Sequence, residues 1–500
     1  MNRTPILFLN VLIIATCGLV YELQAATLSS FVLGDSVTQF SLIIGLYLSA
    51  LGVGAWLSRF IDKGLARAFL EVELGVALVG GLSVPALYLV FARPSSFVPV
   101  LYGTVFTVGT LVGLELPLLM RIVRDQLDFK DLISRVLTFD YIGSLVASVL
   151  FPLWFVPKLG LVRTSLFFGI LNAVVSLWGT WLLRPLIPGG VLGLRLRAVA
   201  LIAAFAFLMA QAEKLTQSSE EDLYDSQIVY ATTTPYQRIV LAQNRNGFQL
   251  YLNAHLQFSS VDEYRYHEAL THPAMLAAHD PRHVLILGGG DGLALREVLR
   301  HPHVESVTLV DIDPKMTELA STHPLLVRQN QRAYDDPRVE VINQDALIWL
   351  ARTDLRPDVV LIDFPDPHSY ALGKLYTSRF FRLLRSRLSD NGAVAIQSTS
   401  PLSTRKSYWC IIRTMEAAGF AVRPYQVGMP SFGIWGFALA RKTAFPLPTR
   451  PLPAGLRFLD AATMPALFAI PPDLGPVEVQ VNRLDNQYLV RYYESERRGE

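Results

Sequence analysis

The sequence has 500 residues, of which 51% are hydrophobic and 17% charged, with a formal net charge of +2 and two cysteines. This length indicates at least two domains, and the composition is too apolar for an ordinary soluble enzyme. The lack of a basic patch in the sequence argues against a nucleic-acid partner. Cys17 and Cys410 lie in different halves of the chain, so we expect neither a disulfide framework nor a thiolate metal site.

Long apolar segments fill residues 1–212, the first predicted domain. Six of them are about the ~20 residues that a helix needs to cross a bilayer, and they lie near 6–26, 37–58, 72–92, 97–120, 139–157 and 161–183. A seventh, 198–211, offers only 14 residues free of charge, which is short for a span. We therefore expect a multi-pass α-helical bundle of six or seven spans in the inner membrane of the cell.

Lysine and arginine residues occur in alternate loops of this predicted bundle, within 59–67, 121–135 and 184–197. By the positive-inside rule these loops and the N-terminus are cytoplasmic. If the seventh segment crosses, the second half of the chain lies outside the cytoplasm. If it lies in the interface, the second half lies inside. We expect the cytoplasmic placement, because the chemistry argued below uses a cytosolic metabolite.

Three acidic residues, Glu22, Glu115 and Asp140, fall in or beside the predicted spans. An ionisable group within a membrane is by default a functional hypothesis. The structural alternative, which we favour for these three, is that they pair with arginines near helix ends.

A polar stretch, 213–235, is predicted to be a linker. Tyr236–Leu241 and Phe248–Leu252, separated by Asn244-Arg-Asn-Gly247, predict a β-hairpin within a small β region at 236–258. Residues 262–445 then alternate apolar strands with helical stretches, which indicates a doubly wound, Rossmann-like parallel sheet. Together 236–445 form the second predicted domain, and 446–500 are predicted to be a proline-rich segment and a C-terminal tail.

The glycine-rich run Gly288-Gly-Gly-Asp-Gly292 follows an apolar strand and precedes a predicted helix, as in nucleotide-binding α/β sheets. Both dinucleotide enzymes and adenosyl-sulfonium enzymes use such a loop. Asp291 within the loop would repel a pyrophosphate, whereas Asp311, about twenty residues later, can accept hydrogen bonds from ribose hydroxyls. Asp345, after the next strand, is placed to meet an adenine amine. These positions favour a thioadenosine with a cationic arm.

Two further aspartates, in Asp363-Phe-Pro-Asp-Pro367, lie at the carboxyl end of a strand and therefore at the ligand crevice. Carboxylates so close to Asp291 are costly unless they face cations. An ammonium-bearing substrate satisfies that requirement. The alternative is that Asp363 or Asp366 caps a helix or a turn.

From about Tyr236 to Phe437 these motifs resemble the polyamine aminopropyltransferase (spermidine synthase) family, a Rossmann-like fold of the adenosyl-sulfonium transferase type. The matching pieces are Tyr236-Gln237, Gln257, Asp262-Glu263, Tyr266-His267-Glu268, Gly288–Gly292, Arg296-Glu297, Asp311-Ile-Asp313, Asp336-Pro-Arg338, Asp345-Ala346, Asp366-Pro367 and Gln397. The apolar half resembles the long, membrane-fused forms of that family.

The resemblance implies transfer of the aminopropyl group of decarboxylated S-adenosylmethionine to putrescine or a related amine, which gives spermidine and S-methyl-5′-thioadenosine. It implies no tightly bound cofactor and no metal. The donor would be held by Gln237, Gly288, Asp291, Asp311, Asp345 and Ala346. The polyamine would meet Tyr266, His267, Asp291, Asp363, Asp366 and Gln397, with Asp366 as the general base. The expected partners are the amine and the lipid bilayer, and a homo-oligomer is left open.

The sequence departs from the family pattern mainly at the amine-acceptor end. The family usually has Asp-Ser-Ser-Asp-Pro where this sequence has Asp-Phe-Pro-Asp-Pro. It has a Gly-Pro pair where this sequence has His368-Ser-Tyr370, and a tyrosine where this sequence has Phe432. Asp311 replaces a glutamate. A longer or bulkier acceptor therefore stays open. Two other functions also stay open: an S-adenosylmethionine-dependent methyltransferase, and a polyamine-sensing or transport membrane protein with a non-catalytic soluble domain.

Overall fold

The computed structural model describes residues 4–33, 36–90, 94–124, 129–224 and 226–498. The chain divides into two compact units, residues 1–228 and 229–500. We call them the helical unit and the α/β unit.

Helices build the helical unit as predicted. They are α1 (Thr4–Leu33), α2 (Ser36–Leu57), α3 (Leu65–Leu89), α4 (Pro94–Val123), α5 (Phe129–Leu150), α6 (Val156–Leu182) and α7 (Leu192–Tyr224). Within the described residues, six helical stretches are long and apolar enough to cross a membrane. The fifth of these, Lys130–Leu182, contains both α5 and α6, which are joined by a π-helical turn at Phe151–Phe155.

The seventh predicted segment is longer than its uncharged residues suggest. Its apolar stretch covers Leu192–Ala212, because the helix begins before two arginines instead of after them. Arg195 Nε donates to Thr180 Oγ1 at 2.9 Å, while Phe205 packs against Gly169 of α6. Helix α7 therefore runs antiparallel along α6, and its apolar stretch of 21 residues is long enough to span, which the 14 uncharged residues of the sequence left open. Residues 213–224, expected in the linker, continue this helix, and residue 225 lies outside the described residues.

The interior of the helical unit contains carboxyl groups without the arginine partners that were expected. Glu115 is 1% exposed, and its carboxyl oxygens have no hydrogen-bond partner among the described residues. The same holds for the buried Glu73. The electrostatic neighbours of Glu115 are Cys17 of α1, Glu73 of α3 and Asp140 of α5, and none of these is an arginine.

A four-stranded sheet opens the β-containing part of the chain, in the order β1 (Gln227–Thr233), β2 (Arg238–Gln243), β3 (Phe248–Leu252) and β4 (His255–Ser259). Strands β2 and β3 pair antiparallel, which confirms the predicted hairpin. Asn244 Oδ1 accepts from the backbone N–H groups of Asn246 and Gly247 and so forms the expected turn. The region begins earlier than predicted because β1 precedes the hairpin.

A seven-stranded sheet forms the centre of the α/β unit. Its strands are β5 (His283–Gly288), β6 (Ser306–Asp311), β7 (Val339–Asn343), β8 (Val359–Asp363), β9 (Ala393–Gln397), β10 (Ala421–Met429) and β11 (Gly433–Arg441). The order is β10-β11-β9-β8-β5-β6-β7. Strands β5 to β9 are parallel as predicted, but β11 pairs antiparallel with β9 and β10. The sheet is mixed because β10 and β11 are joined directly by a short turn.

Helices cover both faces of this sheet. They are α8 (Glu263–Ala277), α9 (Leu293–Leu299), α10 (Pro314–Thr322), α11 (Pro324–Gln329), α12 (Ala346–Arg352), α13 (Tyr370–Gly373), α14 (Ser378–Arg387), α15 (Arg405–Ala417), α16 (Thr463–Ala466) and α17 (Tyr488–Arg498). Along β5, Val284 and Ile286 enter one hydrophobic core while Leu285 and Leu287 enter the other. A strand buried on both faces explains its uninterrupted apolar run.

Residues 446–498, expected to be a linker and a tail, pack onto the α/β unit. The Glu268 carboxylate of α8 accepts backbone hydrogen bonds from Arg457, Phe458 and Leu459. Farther along, Leu489 of α17 is fully buried. These buried contacts make the C-terminal segment part of the folded unit, and residues 499–500 lie outside the described residues.

Candidate active site

A cavity of about 410 Å³ lies at the carboxyl ends of β5, β6 and β8, where the strand order reverses. The structure brings every predicted site residue to this one cavity. Those lining it are Gln237, Tyr266, His267, Gly288, Asp291, Asp311, Asp345, Ala346, Asp363, Asp366 and Gln397. Their common location agrees with a single ligand crevice, while the role of each residue stays a prediction.

The glycine loop that follows β5 is shaped by close backbone contacts. Gly288, Gly289 and Gly292 have φ of 79°, 64° and 80°, a region that residues with a Cβ rarely adopt. A Cβ at Gly288 would collide with the backbone oxygen of Asp363. Gly289 N–H donates to that same oxygen at 3.1 Å. The loop is therefore fixed to the end of β8, with Asp363 beside it.

Asp311, predicted to meet ribose hydroxyls, is held at the end of β6. Its carboxylate accepts from Gly290 N–H at 3.1 Å and from Asp313 N–H at 2.8 Å. Burial raises the pKa of Asp311 to about 6, although these hydrogen bonds oppose the rise. Gln237 Nε2 donates to Asp313 Oδ2 at 3.0 Å. This hydrogen bond holds Gln237, which directly precedes β2 of the four-stranded sheet, near the carboxyl end of β6 in the seven-stranded sheet.

Asp345, predicted to meet an adenine amine, begins helix α12. Its Oδ1 accepts from the backbone N–H groups of Leu347 and Ile348, and its Oδ2 lies 2.6 Å from Lys374 Nζ. Burial opposes ionisation, but Lys374 and the helix N–H groups lower the pKa of Asp345 overall. Sequence reasoning missed Lys374, which lies near no motif and reaches Asp345 only in the folded chain.

Three carboxylates, Asp291, Asp363 and Asp366, surround the end of the cavity beside the glycine loop; we call them the cavity cluster. Asp291 Oδ1 accepts from Leu293 N–H at 2.9 Å, and burial raises its pKa. Tyr266 Oη donates to Asp363 Oδ1 at 2.6 Å. Burial, opposed by His267 and reinforced by Asp291, raises the pKa of Asp363 to about 6.

Asp366, the predicted base, is held by side chains from two distant parts of the chain. Gln397 Nε2 lies 3.5 Å from Oδ1, and Tyr493 Oη donates to Oδ2 at 2.7 Å. Burial raises the pKa of Asp366 to about 6, and the Tyr493 hydrogen bond opposes this rise. Sequence reasoning missed Tyr493 because it belongs to the segment that was predicted to be a tail.

His267 connects the cavity cluster to a second set of buried charges. Its Nδ1 lies 2.9 Å from Glu263 Oε2, and its Nε2 lies 4.0 Å from Asp363 Oδ2. Arg296 forms a bidentate pair with Glu263 at 2.8 and 3.0 Å and also contacts Glu297 at 2.8 Å. Burial alone would lower the pKa of His267, but Glu263 raises it to about 9. His267 is therefore an imidazolium at neutral pH and faces Asp363.

This arrangement suits a cationic ligand bound next to a proton acceptor. Buried carboxylates are stable as ions only when cations or hydrogen-bond donors face them. Around the cavity cluster, His267 faces Asp363, Arg296 acts on Asp291 and Arg497 acts on Asp366, yet burial outweighs these cations and raises the pKa of all three carboxylates. A ligand with positive charge can supply the remainder.

Comparison with known proteins identifies the family. A family model described as the spermine/spermidine synthase domain matches residues 263–448. The chain is 50% identical over 490 residues to a polyamine aminopropyltransferase of Leptospira interrogans, and the match covers 98% of each chain. It is 48% identical over 516 residues to polyamine aminopropyltransferase 2 of Ralstonia nicotianae, covering 100% of this chain and 99% of the relative.

A likeness to a solved structure is confined to part of the chain. The crystal structure of spermidine synthase in complex with the transition state analogue AdoDATO covers 49% of this chain and 85% of its own, at 28% identity and a TM-score of 0.46. The sequence relatives, in contrast, extend over both the helical unit and the α/β unit. The chain therefore belongs to the polyamine aminopropyltransferase family and is an aminopropyl-transferring enzyme with a spermine/spermidine synthase domain in its α/β unit.

Proposed function

We propose that the enzyme transfers the aminopropyl group of decarboxylated S-adenosylmethionine to putrescine or a related amine, which gives spermidine and S-methyl-5′-thioadenosine. The observation that carries this proposal is the cavity cluster beside the glycine loop. Asp291 and Asp363 would receive the ammonium of the aminopropyl arm, since a carboxylate near a cation regains the stability that burial removes.

The donor would lie across the ends of β5, β6 and β7. Asp311 would accept hydrogen bonds from ribose hydroxyls, with Gly288 allowing close approach of the backbone. Asp345 and Ala346 would meet the adenine at the start of α12, and Gln237 would close the site from the small sheet. No metal and no tightly bound cofactor enter this chemistry.

The reaction is a single displacement. The attacking amine nitrogen forms a bond to the carbon next to the sulfonium, the carbon–sulfur bond breaks, and neutral methylthioadenosine leaves. The nucleophile must be neutral, yet alkylamines titrate near the lysine value of ~10.4, so a proton acceptor is required. Asp366, with a pKa of about 6, is ionised at neutral pH and would take that proton. Tyr266, His267 and Gln397 would line the polyamine path.

The cavity cluster also weighs against the two other functions. S-adenosylmethionine carries a carboxylate on the arm that would face Asp291 and Asp363, and like charges in a buried site repel. A methyltransferase would need a cation there. A non-catalytic binding protein would need no base, whereas Asp366 lines the cavity and, with a pKa of about 6, can accept a proton at neutral pH.

We further propose that the helical unit anchors the enzyme in the cell membrane, with the lipid bilayer as its partner. Two arguments then oppose each other on sidedness. The donor is a cytosolic metabolite, which favours a cytoplasmic α/β unit and is the placement we propose. Seven crossings from a cytoplasmic N-terminus would place that unit outside. A topology reporter fused after Glu500 decides between them.

Purified full-length enzyme, incubated with decarboxylated S-adenosylmethionine and a panel of amines, tests the proposal. We expect methylthioadenosine release that depends on the amine, with putrescine or a longer amine as acceptor. Release of S-adenosylhomocysteine from S-adenosylmethionine would instead identify a methyltransferase. Binding of the donor without turnover would identify a sensor.

A further inference from the structure

The hydroxyl of Tyr493 links the C-terminal helix α17 to the predicted base. It donates to Asp366 Oδ2 at 2.7 Å across 127 residues of chain, and the tyrosine side chain is 5% exposed. A hydrogen bond between a buried hydroxyl and a carboxylate is among the stronger side-chain hydrogen bonds in proteins. Helix α17 therefore contributes a direct contact to the cavity cluster.

Helix α17 is itself held rigidly at both ends. The Glu496 carboxylate accepts hydrogen bonds from the backbone of Lys406 and from the backbone and hydroxyl of Ser407, at the start of α15. A carboxylate at a helix N-terminus is stabilised by the unpaired N–H groups there. Near the other end, Asn482 Oδ1 accepts from Leu489 N–H at 3.3 Å, and its Nδ2 donates to the backbone oxygen of Tyr376. These contacts fix the position of Tyr493.

The two oxygens of Asp366 have different surroundings. Oδ2 is held by Tyr493, while among the described residues Oδ1 has the longer 3.5 Å contact with Gln397 Nε2. A base accepts a proton efficiently when the accepting oxygen is presented in a fixed direction. The hydrogen bond at Oδ2 provides that direction and leaves Oδ1 available to the attacking amine.

We propose that Tyr493 is a positioning residue for aminopropyl transfer: it orients Asp366 and favours the ionised form of this base. The inference rests on the proposed function, because it requires Asp366 to accept the proton of the amine. It also makes the C-terminal helix a part of the active site.

Several other groups face Asp366 and contribute to its titration. They are Arg497 from α17, Gln397 from β9, Tyr266 from α8, Tyr376 from the turn after α13, and His368, whose ring meets the Asp366 backbone in the loop after β8. The Tyr493 hydroxyl also contacts Arg497, so its removal changes that contact as well and leaves the other groups in place. A shift in the titration of the base in that variant therefore reports the loss of the Tyr493 hydroxyl, through its contacts with Asp366 and Arg497.

The test compares Tyr493→Phe with Tyr492→Phe in the full-length enzyme, by methylthioadenosine release over a range of pH. Both variants lose one hydroxyl from α17, but Tyr492 Oη accepts from Gln480 N–H and does not contact Asp366. For Tyr493→Phe we expect kcat to fall about tenfold, as for loss of a hydrogen bond to a charged group, with the donor KM unchanged. The acid limb of the kcat/KM profile should move up by about half a pH unit or more. Tyr492→Phe should match the wild type in both respects.

Each other outcome overturns the inference in a distinguishable way. Wild-type kcat and an unmoved acid limb in Tyr493→Phe would show that the contact has no role in the reaction. An equal loss of activity in both variants, with unmoved acid limbs, would assign Tyr493 a purely structural role. A wild-type enzyme that releases no methylthioadenosine would refute the proposed function itself, and the inference with it.

Discussion

Two sets of carboxylates lie side by side in the α/β unit, and their pKa values are shifted in opposite directions. Glu263 and Glu297, which with Arg296 we call the paired cluster, are met by cationic side chains at hydrogen-bond distance. The pKa of Glu263 falls to about 2 because His267 and Arg296 outweigh its burial. In the cavity cluster, burial dominates and raises the pKa of Asp363 and Asp366 to about 6.

This difference separates a structural role from a functional one. In the paired cluster the protein supplies the opposite charge itself, so the carboxylates are ionised in every state and hold α8 against α9. In the cavity cluster, which borders an open cavity, burial outweighs the cations that the described residues supply. We expect the cationic substrates to supply the remaining positive charge. These carboxylates therefore destabilise the substrate-free enzyme and stabilise the complex with its substrates.

The largest expected effect concerns the base of the cavity cluster. Asp366→Asn keeps the shape of the side chain but removes the proton acceptor, so kcat should fall by about 10²–10⁴-fold. Donor binding should survive, because Asp366 is not predicted to contact the thioadenosine. Steady-state kinetics measures kcat, and donor titration measures the affinity for the donor. Turnover equal to that of the wild type would show that Asp366 is not the base.

The paired cluster should respond in stability. Arg296→Met leaves Glu263 and Glu297 buried without their shared guanidinium, which for a broken buried pair costs about 3–5 kcal/mol. A thermal unfolding scan of the α/β transition should show a clear fall in midpoint. Arg300→Met, which removes only the more exposed partner of Glu297, is the matched control and should lower the midpoint less. Equal midpoints for the two variants would contradict the comparison.

The pH dependence of stability should have opposite signs in the two clusters. The raised pKa of Asp366 contributes stability that is present below the unfolded value and lost as pH rises through about 6. Asp366→Asn should therefore stabilise the substrate-free enzyme above that pH, by on the order of 3 kcal/mol less the lost hydrogen bonds. The depressed pKa of Glu263 contributes stability at neutral pH that is lost as pH falls through about 2.

Glu263→Gln should accordingly destabilise the protein most at neutral pH and progressively less in acid. Unfolding midpoints for both variants, measured from about pH 3 to pH 8, test the opposite slopes. Two parallel pH curves would mean that the clusters do not differ as described.

The smallest effect is expected at the donor end. Lys374 pairs with Asp345 at 2.6 Å, but both side chains are partly exposed. Lys374→Met should weaken donor binding by about 1 kcal/mol or less, since solvent screens such a pair. Donor titration checks this prediction. A loss of donor affinity as large as the loss expected for a residue of the cavity cluster would show that Lys374 belongs to the catalytic site.

Much of the site could be predicted because it follows from local pattern. An apolar strand followed by glycines fixes the loop, and parallel strands place their carboxyl ends at one edge, so Asp291, Asp311 and Asp363 had to meet. The antiparallel edge of the sheet was missed because Arg423, Pro424 and Gln426 interrupt the apolar pattern of β10.

The remaining features depend on contacts between distant parts of the chain. Tyr493 and Lys374 stand in segments without a recognisable motif, and only packing brings them to Asp366 and Asp345. The start of α7 was misplaced for a related reason. Arg195 was assigned to the loop before the seventh apolar segment, whereas Thr180 and the ring of Trp181 accommodate it within the helix.

The measurement that tests the central comparison most directly is calorimetric titration of the full-length enzyme with decarboxylated S-adenosylmethionine and with S-adenosylmethionine. The cavity cluster should favour the decarboxylated donor by about tenfold or more, because the extra carboxylate of S-adenosylmethionine would face Asp291 and Asp363. Asp291→Asn should reduce that preference. Equal affinity for the two donors in the wild type, or a preference that Asp291→Asn leaves unchanged, would contradict the account.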